Sequence, residues 1–503
     1  MNHHTFAFEV TTMLVLNLNG PGRSSIPVFQ MPRPERSDER LHVLLHALQT
    51  ACCDLRLRFP LGPCHRFEKD SSTFPPQRLA RRSPPLPAPM AATLDRWKGL
   101  PRGALRKVLA HVPCEADRTS VALACRSWME ALAPLQDKDD PLPLPPQLPW
   151  LLLPLPGGPA FSCLYRGGDA SGIHRIRVPD DARSARYFGS YDGRWLFVAT
   201  TSTRTRYMIA DDHVLLNLRT GARCSVPREF RPELFCFRPS QPAASRVMSV
   251  LVATLSSAPD GDRCVGAAIV LCAPFDDRSR RQITFWRMGH QLAMPPSDLM
   301  AGGEPEDVVY HDGAFLFLTA GEHLFVCRPV FGQNGVLQSV DKGLRFIQQH
   351  EYREYDQQPH VRYLVESRGE LLMVVKSSPG WTWSEGRWSR TWTFTVFRMT
   401  QRQMLHPGHM LYAWTMVSAL DGRTLFVGHG SSRSYEVADF PGFQDGIYFL
   451  DDKNNYNLGR INQNEPYTCS DNGKWSRLLP VIDRCFQLDE GTSNYSPPVW
   501  LLP

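Results

Sequence analysis

No C-x-x-C pair occurs in this 503-residue chain, and its thirteen cysteines are scattered and odd in number, with Cys52-Cys53 the one close pair. That argues against the usual zinc-ligand spacings and against a disulfide framework, and it points to a reducing compartment, cytoplasmic or nuclear. No run of about 20 apolar residues is present to span a bilayer. The nearest stretch, 141–161, is broken by repeated prolines and by Gly157-Gly158, so it reads as a semi-rigid linker and no membrane partner is expected. The N-terminus lacks the charged-then-apolar order of a signal peptide.

Catalytic signatures are missing as well. There is no phosphate-cradling or dinucleotide glycine loop and no His-Glu-x-x-His pair. Gly428-His429-Gly430-Ser431-Ser432 fails the G-x-S-x-G pattern and reads as a tight turn. Asp211-Asp212 and Asp451-Asp452 read as acidic turn residues at strand ends, and His311 and His323 as turn or strand residues. No cofactor, no metal and no catalytic residue are expected. The net charge is +6, of which the first 89 residues hold +4, so the remainder is near neutral. Basic residues do not interleave with aromatics along a stripe, and nucleic acid is not an expected partner.

What is present begins at the N-terminus. Residues 32–40 and 75–89 are rich in Pro, Arg and Ser, a disordered composition, with one short helix expected over 41–57. The leader 1–89 is expected to be dispensable, with Met90 as an alternative start.

Residues 97–132 follow a different logic. Leu100-Pro101 opens a helix, where proline's missing N–H costs nothing. Ala104, Leu105, Val108, Leu109 and Val112 then share one helical face, and Pro113 ends it. Asp117 is the expected N-cap of a second helix, with Val121, Ala124, Cys125, Trp128 and Leu132 on its apolar face. Two or three such short helices bury little apolar surface by themselves. Spacing alone leaves a helical cap and a docking device as equal readings.

Residues 90–136 resemble an F-box: Leu100-Pro101, Leu105, Val108-Leu109, Val112, the pair Asp117-Arg118, then Val121, Ala124-Cys125-Arg126 and Trp128. They depart from the pattern at Arg102 and Gly103. The resemblance implies docking on a Skp-type adaptor, and through it a cullin, by Leu100, Pro101, Leu105, Val108, Leu109, Val112, Val121, Cys125 and Trp128.

After the Pro/Leu-rich linker assigned to 137–158, residues 159–503 read as strand after short strand. Gly193, Gly261, Gly313, Gly369, Gly422 and Gly473 mark turns between apolar runs, spaced 68, 52, 56, 53 and 51 residues apart. Secondary turns follow at Thr220-Gly221, Gly321-Glu322, Glu385-Gly386, Asp445-Gly446 and Glu490-Gly491. Two hairpins per period make one four-stranded blade, so the chain is expected to be mainly β, a short α-helical F-box followed by a β-propeller. Six blades are expected, with seven the alternative, and a β-sandwich pair is the competing architecture.

Several blocks also resemble the KIB-type β-propeller of plant F-box proteins, long classed as a domain of unknown function: 215–221 with Pro227, 428–443, 446–452 and the closing 497–503. The resemblance implies that the C-terminal strand helps close the ring. It also implies a substrate-recognition subunit of a Skp–cullin–F-box ubiquitin ligase, with an unknown protein substrate on the propeller. The alternatives are a non-ligase scaffold or small-ligand-binding propeller with a helical cap, and a propeller enzyme or lectin, which needs carboxylates or histidines at the channel mouth. Trp381, Trp383, Trp388 and Trp392 are expected to pack between blades, an exposed one serving as a partner anchor. Recognition is expected in the loops 256–263, 294–306 and 348–359. Arg278, Arg280 and Arg281 are the one candidate phosphate-binding cluster, or else a solvated turn.

Overall fold

The computed structural model describes residues 100–123, 126–132 and, with interruptions, 144–503; the leader 1–89 lies outside the described residues. The chain divides into two units, 1–147 and 148–503.

In the first unit, α1 spans Arg102–Ala110, α2 Glu115–Ala122 and α3 Arg126–Leu132. Leu105, Leu109 and Trp128 form its apolar centre, with Leu100, Val108 and Val121 packed against them. α2 starts two residues before the expected cap: Cys114 takes the N-cap position, and Glu115 and Asp117 lie in the first turn. Carboxylates there face the positive end of the helix dipole, which stabilises the turn without a side-chain cap. The single helix expected from Asp117 to Leu132 is two helices, since α2 reaches its C-cap at Leu123. Arg118 is buried, and its Nη1 donates to Val112 O (2.7 Å) and Pro113 O (3.0 Å). It thereby satisfies carbonyls that follow α1 and have no helical partner. Gly103 is exposed in α1, and a Cβ there would meet nothing within 4 Å. Its only cost is helix propensity, so Gly103→Ala is expected to stabilise this unit by about 1 kcal/mol in a thermal melt.

The second unit is a six-bladed β-propeller. Blade 1 joins Trp150–Leu153, Ala160–Ser162 and Ile173–His174 to Val499–Leu501 from the far end of the chain. Blade 2 holds Arg186–Tyr191, Trp195–Thr205, Met208–Asn217 and Arg223–Val226. Blade 3 is built on Arg246–Leu255, Val265–Cys272 and Gln282–Arg287, and blade 4 on Pro305–His311, Ala314–Thr319, Leu324–Phe331 and Leu337–Arg345. Blade 5 takes His360–Ser367, Glu370–Ser377, Thr393–Gln403 and Met410–Met416. Blade 6 takes Arg433–Glu436, Arg423–Val427, Gly446–Phe449, Gly473–Ser476 and Val481–Asp483.

Side-chain alternation shows why these sheets stand in a ring. Successive residues of a strand point to opposite faces. Phe315 and Phe317 enter the apolar cluster shared with blade 3, whereas Ala314, Leu316 and Leu318 enter the one shared with blade 5. Leu371, Met373 and Val375 face blade 4, and Leu372 and Val374 face blade 6. The middle strands are therefore buried on both faces, which a two-sheet sandwich does not provide. The sharpest turn signals are tight hairpins. His311 pairs with Ala314 and Ser367 with Glu370, leaving Asp312-Gly313 and Arg368-Gly369 as two-residue loops. All four of those loop residues have positive φ, from 48° to 74°, as this turn class requires.

Trp150–Leu153 lies in the segment assigned to the linker, yet it is a central strand of blade 1. Leu151 pairs with Ser162 on one side and with Trp500 on the other. Four consecutive apolar residues suit a strand buried on both faces, and flanking prolines simply delimit it.

His213 is buried in blade 2, and Val250 N donates to its Nε2 at 3.3 Å. Burial, aided by the Arg186 charge, lowers its pKa to about 3. The unfolded chain takes up that proton near pH 6.5 while the native one does not. This contribution is therefore complete above pH 6.5 and is lost as pH falls toward 3, by up to about 1.4 kcal/mol per unit. His213→Gln is expected to move the acid-unfolding midpoint to lower pH.

Candidate functional site

Two regions gather the sequence-derived candidates. The first is the helical unit. Leu105, Leu109, Val112 and Trp128 are buried, Leu100, Val108 and Val121 are half-buried, and Pro101 is exposed. Cys125 lies outside the described residues. Two residues that helical periodicity did not select stand out instead: Leu123 is 74% exposed and Met129 52%. Leu123 closes α2 at its C-cap, where the stripe argument ends, and Met129 lies beside Trp128 on α3.

The second region is the centre of the propeller. The loop 428–432 joins the first two strands of blade 6 and reaches the inner strands of four other blades. Gly430 N donates to Asp307 Oδ1 of blade 4 at 2.7 Å. The His429 ring lies 4.8 Å from that of Tyr363 in blade 5. A Cβ on Gly430 would come within 2.6 Å of Ala253 O in blade 3, and one on Gly189 in blade 2 within 3.9 Å of His429 O. Contact with so many inner strands places this loop at the axis. Gly430, at φ +70°, is the residue this close approach requires.

Asp307 is fully buried and accepts three backbone N–H groups: Gly430 (2.7 Å), Val308 (2.8 Å) and Leu364 (2.7 Å). Burial raises its pKa to about 6, and the His429 charge opposes that rise. Lys376, also fully buried, donates from Nζ to Leu450 O at 2.9 Å and lies over the Tyr363 and Phe449 rings. Asp307 thereby fastens the loop to blades 4 and 5, and the His429 ring packs on that of Tyr363. Nothing in the spacing of Asp307, Tyr363, Lys376 and His429 marked them as a group.

Other candidates disperse. Arg281 turns to blade 4, donating to Pro305 O at 3.2 Å with Glu304 at 3.6 Å; Arg278 lies outside the described residues. Asp212 pairs with Arg228 at 3.2 Å, and Asp451 is buried while Asp452 lies outside the described residues. Trp381 and Trp388 pair across a two-stranded ribbon. Trp392 does not pack between blades but is 59% exposed, because it stands just before the strand at Thr393 begins. Cys163, Cys224, Cys264 and Cys272 are free thiols. No helix among the described residues is long and apolar enough to cross a membrane.

Against that geometry, the family model of the KIB1-4 beta-propeller matches residues 161–467, well over half of the chain. The chain belongs to that family. The matched span opens within blade 1, after Trp150–Leu153, and stops inside blade 6, leaving out Gly473–Ser476, Val481–Asp483 and Val499–Leu501. No curated protein matches this KIB1-4 chain.

Proposed function

We propose that this KIB1-4 propeller is the substrate-recognition subunit of a Skp–cullin–F-box ubiquitin ligase, the helical unit binding the Skp-type adaptor and the propeller binding the target protein. The observation that carries this reading is the exposure of Leu123 and Met129 on a helical unit whose own centre is already filled by Leu105, Leu109 and Trp128. Contiguous exposed apolar surface marks protein interaction sites whereas a single exposed side chain does not, so the reading rests on Leu123 and Met129 acting together as one adaptor-facing surface. The mechanism is proximity: a bound target is held at high local concentration beside a charged conjugating enzyme. In this reading no residue of the chain performs covalent chemistry, no metal or cofactor is needed, and the protein works in the cytoplasm or nucleus.

The test is co-purification of a Skp-type adaptor with the full chain, a deletion of 95–136, and point variants. Leu123→Asp is expected to abolish adaptor capture while both units stay folded, because the site is open to solvent. Leu105→Asp places a charge in the helical centre, so it is expected to unfold that unit and is not a clean probe of docking. Retained capture by Leu123→Asp and by the deletion refutes the reading.

A further inference from the structure

One ion pair of the propeller skips a blade. Arg433 opens the inner strand of blade 6, and its Nη2 donates to Asp192 Oδ1 at 2.7 Å, in the first hairpin turn of blade 2. Blade 1 stands between them, Trp500 bonding Val427 on one side and Leu502 bonding Ser190 on the other. Ser434 fixes the level of the pair: its Oγ lies 2.8 Å from that of Ser367, the last residue of its strand in blade 5. Arg433 thus stands on the rim where the inner strands end. Gly430 of the axial loop bonds Asp307, which lies about 10 Å before Tyr310 along the blade 4 strand. The loop is therefore the deeper element and the ion pair the outer one.

Phenols gather on the same rim. Tyr435 shares a strand face with Arg433. Tyr191 precedes Asp192, and burial raises its phenol to about 12. Asp192, Cys264 and Tyr310 of blade 4 add to that rise, and the Arg433 charge opposes it, so all of these lie within electrostatic reach of one another. The rings of Tyr191, Tyr310 and Tyr435 pack on the apolar clusters between blades. Each is half-buried, and no described residue hydrogen-bonds its hydroxyl.

This rim favours a neutral, hydroxylated ligand. The Arg433 and Asp192 side chains are 33% and 55% exposed, and their charges cancel. Asp312 and Glu366, at neighbouring strand ends, add negative charge that disfavours an anion, while Arg433 disfavours a cation. Arg433 keeps further N–H donors, and Asp192 keeps an acceptor oxygen beside them. A donor next to an acceptor suits adjacent hydroxyl groups, one oxygen accepting from Arg433 while the next hydroxyl donates to Asp192. The phenols likewise both donate and accept, and their rings offer an apolar surface to the C–H face of a sugar.

We propose that this rim is a binding site for a neutral saccharide, held by Arg433 and Asp192 with Tyr191, Tyr310 and Tyr435 around it. Asp192 supplies the carboxylate at the channel mouth that a lectin needs. The site does not depend on the ligase reading.

The experiment applies the labelled full chain to an array carrying neutral oligosaccharides, sialylated oligosaccharides and sugar-free peptides. Saturable binding to a neutral saccharide is expected, and calorimetric titration of that saccharide in solution gives its affinity. Asp192→Ala is expected to weaken it about tenfold, as loss of a hydrogen bond to a charged group does. Tyr191→Phe, which removes only a hydroxyl, is expected to weaken it several-fold. A partly exposed ion pair adds little stability, so an unchanged thermal melt shows that Asp192→Ala keeps its fold. Binding to no saccharide, to sialylated ones alone or to peptides alone overturns the proposal. So does a neutral saccharide whose affinity neither variant changes.

Discussion

Asp307→Ala is expected to lower the unfolding free energy of the propeller by about 3–5 kcal/mol, read from urea unfolding. The carboxylate collects N–H groups from blade 4, blade 5 and the axial loop of blade 6. Removing it orphans three buried donors at once, each worth roughly 1–3 kcal/mol if no water replaces the lost acceptor. Asp307→Asn is expected to fall between the two, because one oxygen can still accept from Val308 and Gly430 while the amide nitrogen faces Leu364 N–H. The pH dependence has a definite sign. The native pKa, about 6, lies above the ordinary carboxyl value of 3.8. The contribution of this group is therefore greatest below pH 3.8 and declines as pH rises through 6. Asp307→Asn is expected to remove that decline. A loss below about 1 kcal/mol in Asp307→Ala would mean that water enters the axis and satisfies the three donors.

The second large effect concerns ring closure. A chain ending at Ser496 is expected to lose the cooperative unfolding transition altogether. It lacks the strand Val499–Leu501, which pairs with Trp150–Leu153. It also lacks Trp500, which is fully buried and donates from Nε1 to Val427 O of blade 6 at 2.9 Å. Truncating one buried tryptophan costs about 3–5 kcal/mol, against a typical total stability of about 5–15 kcal/mol. The bonds from Leu502 N to Ser190 Oγ (3.1 Å) and from Gly193 N to Pro503 O (3.2 Å) tie the same segment to blade 2. Differential scanning calorimetry of the shortened chain decides the matter; a single sharp transition near that of the full chain would show that the remaining pairings of blade 1 suffice.

Local chemistry made the blades readable. Asp312-Gly313 and Arg368-Gly369 demand positive φ, and a turn that sharp between two apolar runs leaves little but a hairpin. The doubly buried strands Ala314–Thr319 and Glu370–Ser377 are built on the continuous apolar runs 314–318 and 371–375. What escaped reading depends on long-range pairing. Trp150–Leu153 looks like a proline-bounded linker until Val499–Leu501 arrives to flank it. Asp307 is an ordinary acid until Gly430, 123 residues later, offers its N–H. On the helices, periodicity finds the face that is buried, which is why Leu105 and Leu109 were legible and Leu123, at a helix end, was not.

Closure by the last strand has a consequence for how this protein comes into being. During synthesis Trp150–Leu153 leaves the ribosome about 350 residues before its partner Val499–Leu501. At about 5–20 residues per second, that strand waits some tens of seconds with one edge open. An unpaired apolar edge is a template for aggregation. The nascent chain therefore exposes that apolar edge until Val499–Leu501 has been made, and any chain cut short before that strand leaves blade 1 open on one side.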